Sequence, residues 1–215
     1  MILFVRFVIK KVDDMSVLFH SEDFLMHLLY RKMAKGYRAL LALYMTPKAL
    51  TSVSLLKIDP RNPGHFLPIE HIHLGGSCES LLLDHPLRDG ELKLRRDALQ
   101  FLQELCSQLK RRFDFDPDST IASPRVLDPA VAVLDIENEK GPRTLAPLMV
   151  HFKHLLPEEY RDELNNEWLD LPVALSTADI AQNSKLAPPV FWGKLLEVTN
   201  AADKPRFPLL TQLMA

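Results

Sequence analysis

Glycine is scarce in this chain, with seven in 215 residues, and none of them sits in a glycine-rich phosphate loop or a nucleophile elbow. Cysteine is scarcer still. Cys78 and Cys106 stand far apart with no CxxC partner, which fits a reduced intracellular protein and argues against a disulfide scaffold. Charge of one sign is also missing. The formal net charge of −2 supplies no overall basic field for nucleic-acid phosphates, so high-affinity autonomous DNA binding is disfavoured and only a local basic patch remains. No apolar run is long enough to span a bilayer. The segment from Met1 to Lys11 is broken by Arg6 and has no small-residue cleavage site, so it reads as a buried strand or the start of a helix.

What the chain does have is globular composition, 47% hydrophobic and 25% charged, with enough length for one sizeable core or two small ones. Helical periodicity dominates. Ser21 is a candidate cap, and Glu22 and Asp23 suit the positive end of a helix. After them Phe24, Leu25, Leu28, Leu29, Met33, Tyr37, Leu40, Leu41 and Tyr44 form one apolar face reaching about Met45. Gly36 either weakens this helix or marks a close crossing. Thr46-Pro47 signals a further helix start, and Asp59-Pro60-Arg61-Asn62-Pro63-Gly64 a break. The stretch from Phe66 to Gly76 carries no clear assignment. A long helix is expected from about Asp89 to Phe113. Its buried stripe is Leu94, Ala98, Leu99, Leu102, Leu105, Cys106 and Leu109, and its polar face holds Lys93, Arg95, Arg96, Lys110, Arg111 and Arg112.

Residues 114–125 read as a polar, proline-containing loop. The Asp128-Pro129 step predicts a helix start, and helices are expected over 145–156, 158–168 and 190–200, with an exposed loop over 176–189. No repeat or low-complexity tract appears. The predicted fold is mainly α, with little or no β-sheet.

Candidate chemistry is thin. His65, His71, His73 and His85 lie near Cys78, but a zinc site needs two tight ligand pairs and only His71-x-His73 is present. His151-x-x-His154 lacks its Glu-x-x-His companion. Asp114-x-Asp116-x-Asp118 opens like a calcium loop, then fails at Ser119 and Arg125, where glycine and glutamate are needed. Asp162, Glu163 and Glu167 in one helix, with Asp135, Glu137 and Glu139 upstream, are the carboxylates that could hold metal ions, but such clusters usually form a solvated helix face or loop and nothing marks these as metal-facing. The basic cluster remains. Arg95, Arg96, Lys110, Arg111 and Arg112 are candidate phosphate contacts, although the last three also complement the negative end of their own helix, and the lack of net basicity favours that second role.

Landmarks near the C-terminal end carry a family resemblance. They are Asn166-Glu167-Trp168-Leu169-Asp170-Leu171-Pro172, then Val190-Phe191-Trp192, then Ala202-Asp203-Lys204-Pro205-Arg206-Phe207-Pro208-Leu209-Leu210. In that order they resemble the segment of hAT-superfamily DNA transposases that leads into the C-terminal dimerisation region. Upstream, Phe19-His20-Ser21-Glu22-Asp23 with Leu28-Leu29-Tyr30 is similar to the entry into the family's helical insertion. Ile58 to Pro63 with His65-Phe66-Leu67-Pro68 resembles a mid-insertion stretch. Phe101-Leu102, Lys110 to Phe113 and Val126 to Pro129 resemble the following block.

The resemblance implies a helical insertion domain of an RNase H-like transposase, over 16–175. Residues 1–15 would be a remnant of the catalytic core, and 176–215 would lead toward the dimerisation region. The family's zinc-binding finger, its two catalytic aspartates and its terminal Glu-Arg pair have no counterpart here, so no catalytic residue carries over. The expectation is a non-catalytic fragment that contacts DNA or protein. The alternative is a truncated active transposase whose carboxylates lie outside the chain. No cofactor is expected in this chain, since the divalent metal of the intact family would sit on residues not present. Expected partners are DNA, a second copy or a related transposase-like chain, with neither a membrane nor a small-molecule substrate. The resemblance implies a nuclear location. Phe191, Trp192, Phe207 and Leu210 are expected to lie at an interface, as apolar side chains left without a catalytic core to cover them.

Overall fold

The computed structural model describes residues 1–17, 26–86, 90–134, 144–154, 157–174 and 186–214. Among the described residues the chain is mainly α-helical, with no sheet and two isolated antiparallel bridges, Met45 to Phe66 and Thr199 to Pro205. It divides into two compact units. One comprises Met1–Asp23 and Leu29–Asp116, the other Phe24–Leu28 and Pro117–Ala215. The boundary after Asp116 falls in the polar, proline-containing stretch 114–125.

The first unit begins with α1 (Ile2–Ser16). Phe4, Val8 and Met15 recur at helical spacing and are buried, so the N-terminal segment resolves as helix rather than strand. In α2 (Met26–Leu41) the face from Met33 through Tyr37, Leu40 and Leu41 is buried as the periodicity predicted. Ser21 to Leu25, the expected start of that helix, lie outside the described residues. Gly36 does mark a close approach. A Cβ there would lie 2.6 Å from Cγ and Sδ of Met15 on α1. Thr46 caps α3 (Pro47–Ser52), its Oγ1 accepting from the Ala49 amide at 3.3 Å, with Pro47 at the first helical position.

The proline-rich break is held by short local bonds. Asp59 Oδ1 accepts from the Arg61 amide and Asn62 Oδ1 from the Gly64 amide. The unassigned stretch after it is pinned by long-range backbone bonds: the Thr46 amide to His65 O, the Leu67 amide to Tyr44 O and the His73 amide to Leu43 O. The buried Tyr44 hydroxyl donates to Pro60 O at 3.1 Å. At the start of α4 (Gly76–Asp84) Gly75 adopts φ +88°, where a Cβ would strike the Phe7 ring at 2.6 Å. Glu79 reaches back to accept from the Leu74 amide, in the manner of a capping box. Helix α5 (Gly90–Arg112) then buries Ala98, Leu99, Leu102 and Cys106, most of its predicted stripe.

In the second unit a 3-10 turn, Ser123–Leu127, precedes α6 (Pro129–Leu134), whose start the Asp-Pro step had marked. Helix α7 (Ala146–His151) is shorter than expected. Helix α8 (Arg161–Ala174) is longer, running through Pro172 near its end. The ring there is buried, and it removes the amide of one residue only, so packing outweighs the lost bond. Helix α9 (Pro188–Leu196) opens on two prolines, where free amides are not needed. It ends before Asn200, whose side chain instead organises a turn by accepting from the amides of Ala202 and Lys204. Helix α10 (Pro208–Met214) follows. Residues 175–185, most of the expected loop, lie outside the described residues.

Candidate functional site

Arg95 emerges on the buried side of α5, in phase with Ala98, Leu99 and Leu102, and not on the polar face where its charge had placed it. It is 7% exposed. Its guanidinium donates to Glu79 at 2.8 and 3.1 Å, to Glu91 at 2.8 and 2.9 Å, and to Ile72 O at 2.5 Å. One side chain thus joins α4, the turn before it and α5. The Arg95 hydrogen bonds hold the Glu79 carboxyl below its ordinary range, helped by the Leu74 amide and opposed by burial. Charge-assisted bonds of this kind satisfy the cation completely within the fold. A legible signal existed in Glu91, one turn before Arg95, and in the apolar phase the arginine shares.

The other predicted cations stay at the surface to different degrees. Arg96 and Arg112 are exposed. Lys110 Nζ donates to Ile58 O at 2.5 Å, which fixes the C-terminal end of α5 beside the turn carrying Lys57. Arg111 is exposed and bonded to Gln108 Oε1. An acidic residue sits among them. Glu104 pairs with Arg61 and accepts from Gln108, and the Gln108 bond first, then Arg61, lowers its carboxyl pKa. Arg96 and Lys110 are about 21 Å apart along the helix axis, so the structure does not gather the five cations into one patch. Lys110, Arg111 and Arg112 share one end of α5, and Lys57 immediately precedes the residue whose carbonyl Lys110 bonds.

Phe191, Trp192, Phe207 and Leu210 are all buried in the core of the second unit. Trp168 and Trp192 stack at 6.3 Å, Phe191 meets Trp192 edge-on at 4.9 Å, and Trp192 Nε1 donates to Leu127 O at 2.9 Å. These side chains find partners inside this chain, because α6, α8, α9 and α10 enclose them.

Among the described residues the carboxylates do not converge either. Glu167 turns toward α10 and accepts from the amides of Leu209 and Leu210 at 3.1 and 2.8 Å, which satisfies the start of that helix. Asp162 and Glu163 are exposed, and Asp135, Glu137 and Glu139 lie outside the described residues. Asp114 is spent on the Asp116 amide. His151 Nε2 lies 2.8 Å from Asp118 O and Nδ1 lies 3.1 Å from Thr120 Oγ1, a pattern met by the tautomer protonated at Nε2. Among the described residues no three His, Cys, Asp or Glu side chains are grouped to hold a metal ion. Both cysteines are buried free thiols. Among the described residues, one surface cleft of about 350 Å³ is lined by Arg6, Lys10 and Gly75 to Cys78, and another of about 440 Å³ by Lys153, Arg161 and Asn165. Neither places a nucleophile beside a base. Among the described residues no helix is long and apolar enough to cross a membrane.

Comparison with known proteins finds no match: no family model fits the chain, and no curated protein or solved structure is significantly similar to it.

Proposed function

We propose that this chain is a non-catalytic interaction fragment with the architecture of a hAT-like transposase insertion, meeting the DNA backbone through the basic end of α5. The observation that carries the reading is the surface cluster of Lys110, Arg111 and Arg112, which the Lys110 bond to Ile58 O holds beside Lys57. Three cations at the end of α5, with Lys57 in the turn bonded to it, supply a local positive field although the chain as a whole carries −2.

Several of the landmarks behind the resemblance, among the described residues, have structural roles that support the same reading. Trp168, Leu171, Phe191, Trp192, Phe207 and Leu210 share one core. Ile58 and Pro60 form the buried floor of the turn that Tyr44 and Lys110 hold. Glu167, the carboxylate nearest the tryptophan landmark, is committed to capping α10.

The test is fluorescence anisotropy with a labelled duplex over a salt series. Three phosphate contacts predict a log–log salt slope of about −2.7, or roughly a 40-fold loss of affinity between 50 and 200 mM salt. The R111Q/R112Q variant should flatten that slope by about 2 for every duplex sequence alike. No binding at low salt, or an unchanged slope in the variant, would sink the proposal.

A further inference from the structure

Helix α1 has an apolar arc wider than the part the fold covers. Phe4, Val8 and Met15 point into the first unit. Ile2, Val5, Ile9 and Val12 form a second stripe with the three-then-four spacing of a coiled-coil seam. Ile2 is 85% exposed and Ile9 50%, with Val5 and Val12 half-buried at the edge. An apolar arc of this width is ordinarily covered across its whole breadth.

The charges on α1 say what could cover it. Arg6 and Lys10 stand in its first two-thirds, Asp13 and Asp14 in its last turn, and all four are exposed. That order opposes the helix dipole, which favours acids at the start and bases at the end. Helix α1 has no acid in its first turn and no base in its last. Among the described residues none of the four has an ion-pair partner.

We propose that α1 pairs antiparallel with α1 of a second copy. In that arrangement Ile2 packs over the partner's Val12 and Val5 over the partner's Ile9, each pair repeated by the two-fold axis. Arg6 and Asp13 occupy the position that flanks the seam on the same side in both copies. Side chains on a helix lean toward its N-terminus, so Arg6 and the partner's Asp13 lean toward each other. Both opposed helix ends gain a compensating charge, and the two dipoles run antiparallel. A parallel pair would instead put the two copies' Arg6 and Asp13 on opposite edges of the seam, where neither reaches the other. Two fifteen-residue helices give an interface at the small end of the specific range, so the dimer is a transient, micromolar one. The inference stands apart from DNA binding and is tested without DNA.

Sedimentation velocity of the full chain over a micromolar to submillimolar series reads the outcome. Wild type should shift reversibly from monomer to dimer. I2K/I9K should remain monomeric throughout, with unchanged helicity by circular dichroism because both side chains face water. R6E and D13R should each raise the dimer Kd about tenfold, two ion pairs per dimer being replaced by like-charge contacts. The R6E/D13R double variant should recover most of that loss. A wild-type chain that stays monomeric overturns the proposal, even if a different protein binds the stripe. So does a dimer indifferent to I2K/I9K, or one whose affinity the charge swap fails to restore.

Discussion

Replacing Arg95 with methionine removes the only charged side chain buried inside the α4–α5 contact among the described residues, and the structure sets the size of the effect. Methionine keeps the apolar stem and fills similar space, so the loss reports the guanidinium. Removing one partner of a fully dry ion pair costs about 3–5 kcal/mol. Here the Glu79 and Glu91 side chains keep 29% and 38% exposure, so water takes over part of the lost bonding. Ile72 O, in a buried residue, loses its donor as well. The expected loss is about 2–3 kcal/mol, seen as a fall in Tm of roughly 4–12 °C. The pH dependence is a second readout. Glu79 titrates below its ordinary value in the folded state, so its contribution is present above about pH 4.5 and is lost as pH falls through the folded value. The gap between wild type and R95M is therefore widest at neutral pH and narrows in acid. Urea denaturation at several pH values measures it. An R95M protein within about 0.5 kcal/mol of wild type at neutral pH, with a gap that does not change in acid, would refute the reasoning. R95M should also leave the salt slope of DNA binding untouched, which separates Arg95 from the surface arginines.

Four further outcomes follow from the geometry. Trp192→Phe loses the bond to Leu127 O and should cost about 1–2 kcal/mol in urea, while Trp192→Ala should cost about 3–5. Glu167→Ala strands the amides of Leu209 and Leu210, so it should destabilise by about 1–2 kcal/mol and speed hydrogen exchange across α10 before the rest of the unit. Gly75→Ala combines a left-handed φ with a clash against Phe7 and should cost about 2–4 kcal/mol, whereas at the neighbouring Gly76 a Cβ would meet nothing within 4 Å, and alanine there should be nearly neutral. Burial pushes the Cys106 thiol up to about 12, so iodoacetamide at neutral pH should label it only when the chain unfolds.

The legibility of this protein divides along a physical line. The stripes of α2 and α5, the Thr46-Pro47 start and the Asp128-Pro129 start were readable because each depends on neighbours within one or two turns. Gly36 was legible only as two alternatives, a weak point or a close crossing, and Met15, arriving from another helix, decided for the second. Lengths were less readable. Helix α8 outran its expected end because burial of Pro172 outweighed one missing amide, and that balance is not written in the residue itself.

The sequence by itself determined that this is a mainly helical chain with apolar faces to bury and a charged cluster at the end of its longest described helix. Only the tertiary structure decided what the polar residues do. Arg95 finds Glu79 sixteen positions away, Lys110 finds Ile58 fifty-two positions away, and Glu167 finds Leu210 forty-three positions away. It likewise turned Phe191, Trp192, Phe207 and Leu210 inward and left Ile2 and Ile9 outside. Periodicity records that a face is apolar. Which face is covered, and which charge is answered inside the fold, depends on the elements that arrive against it, and those lie too far along the chain for local spacing to encode.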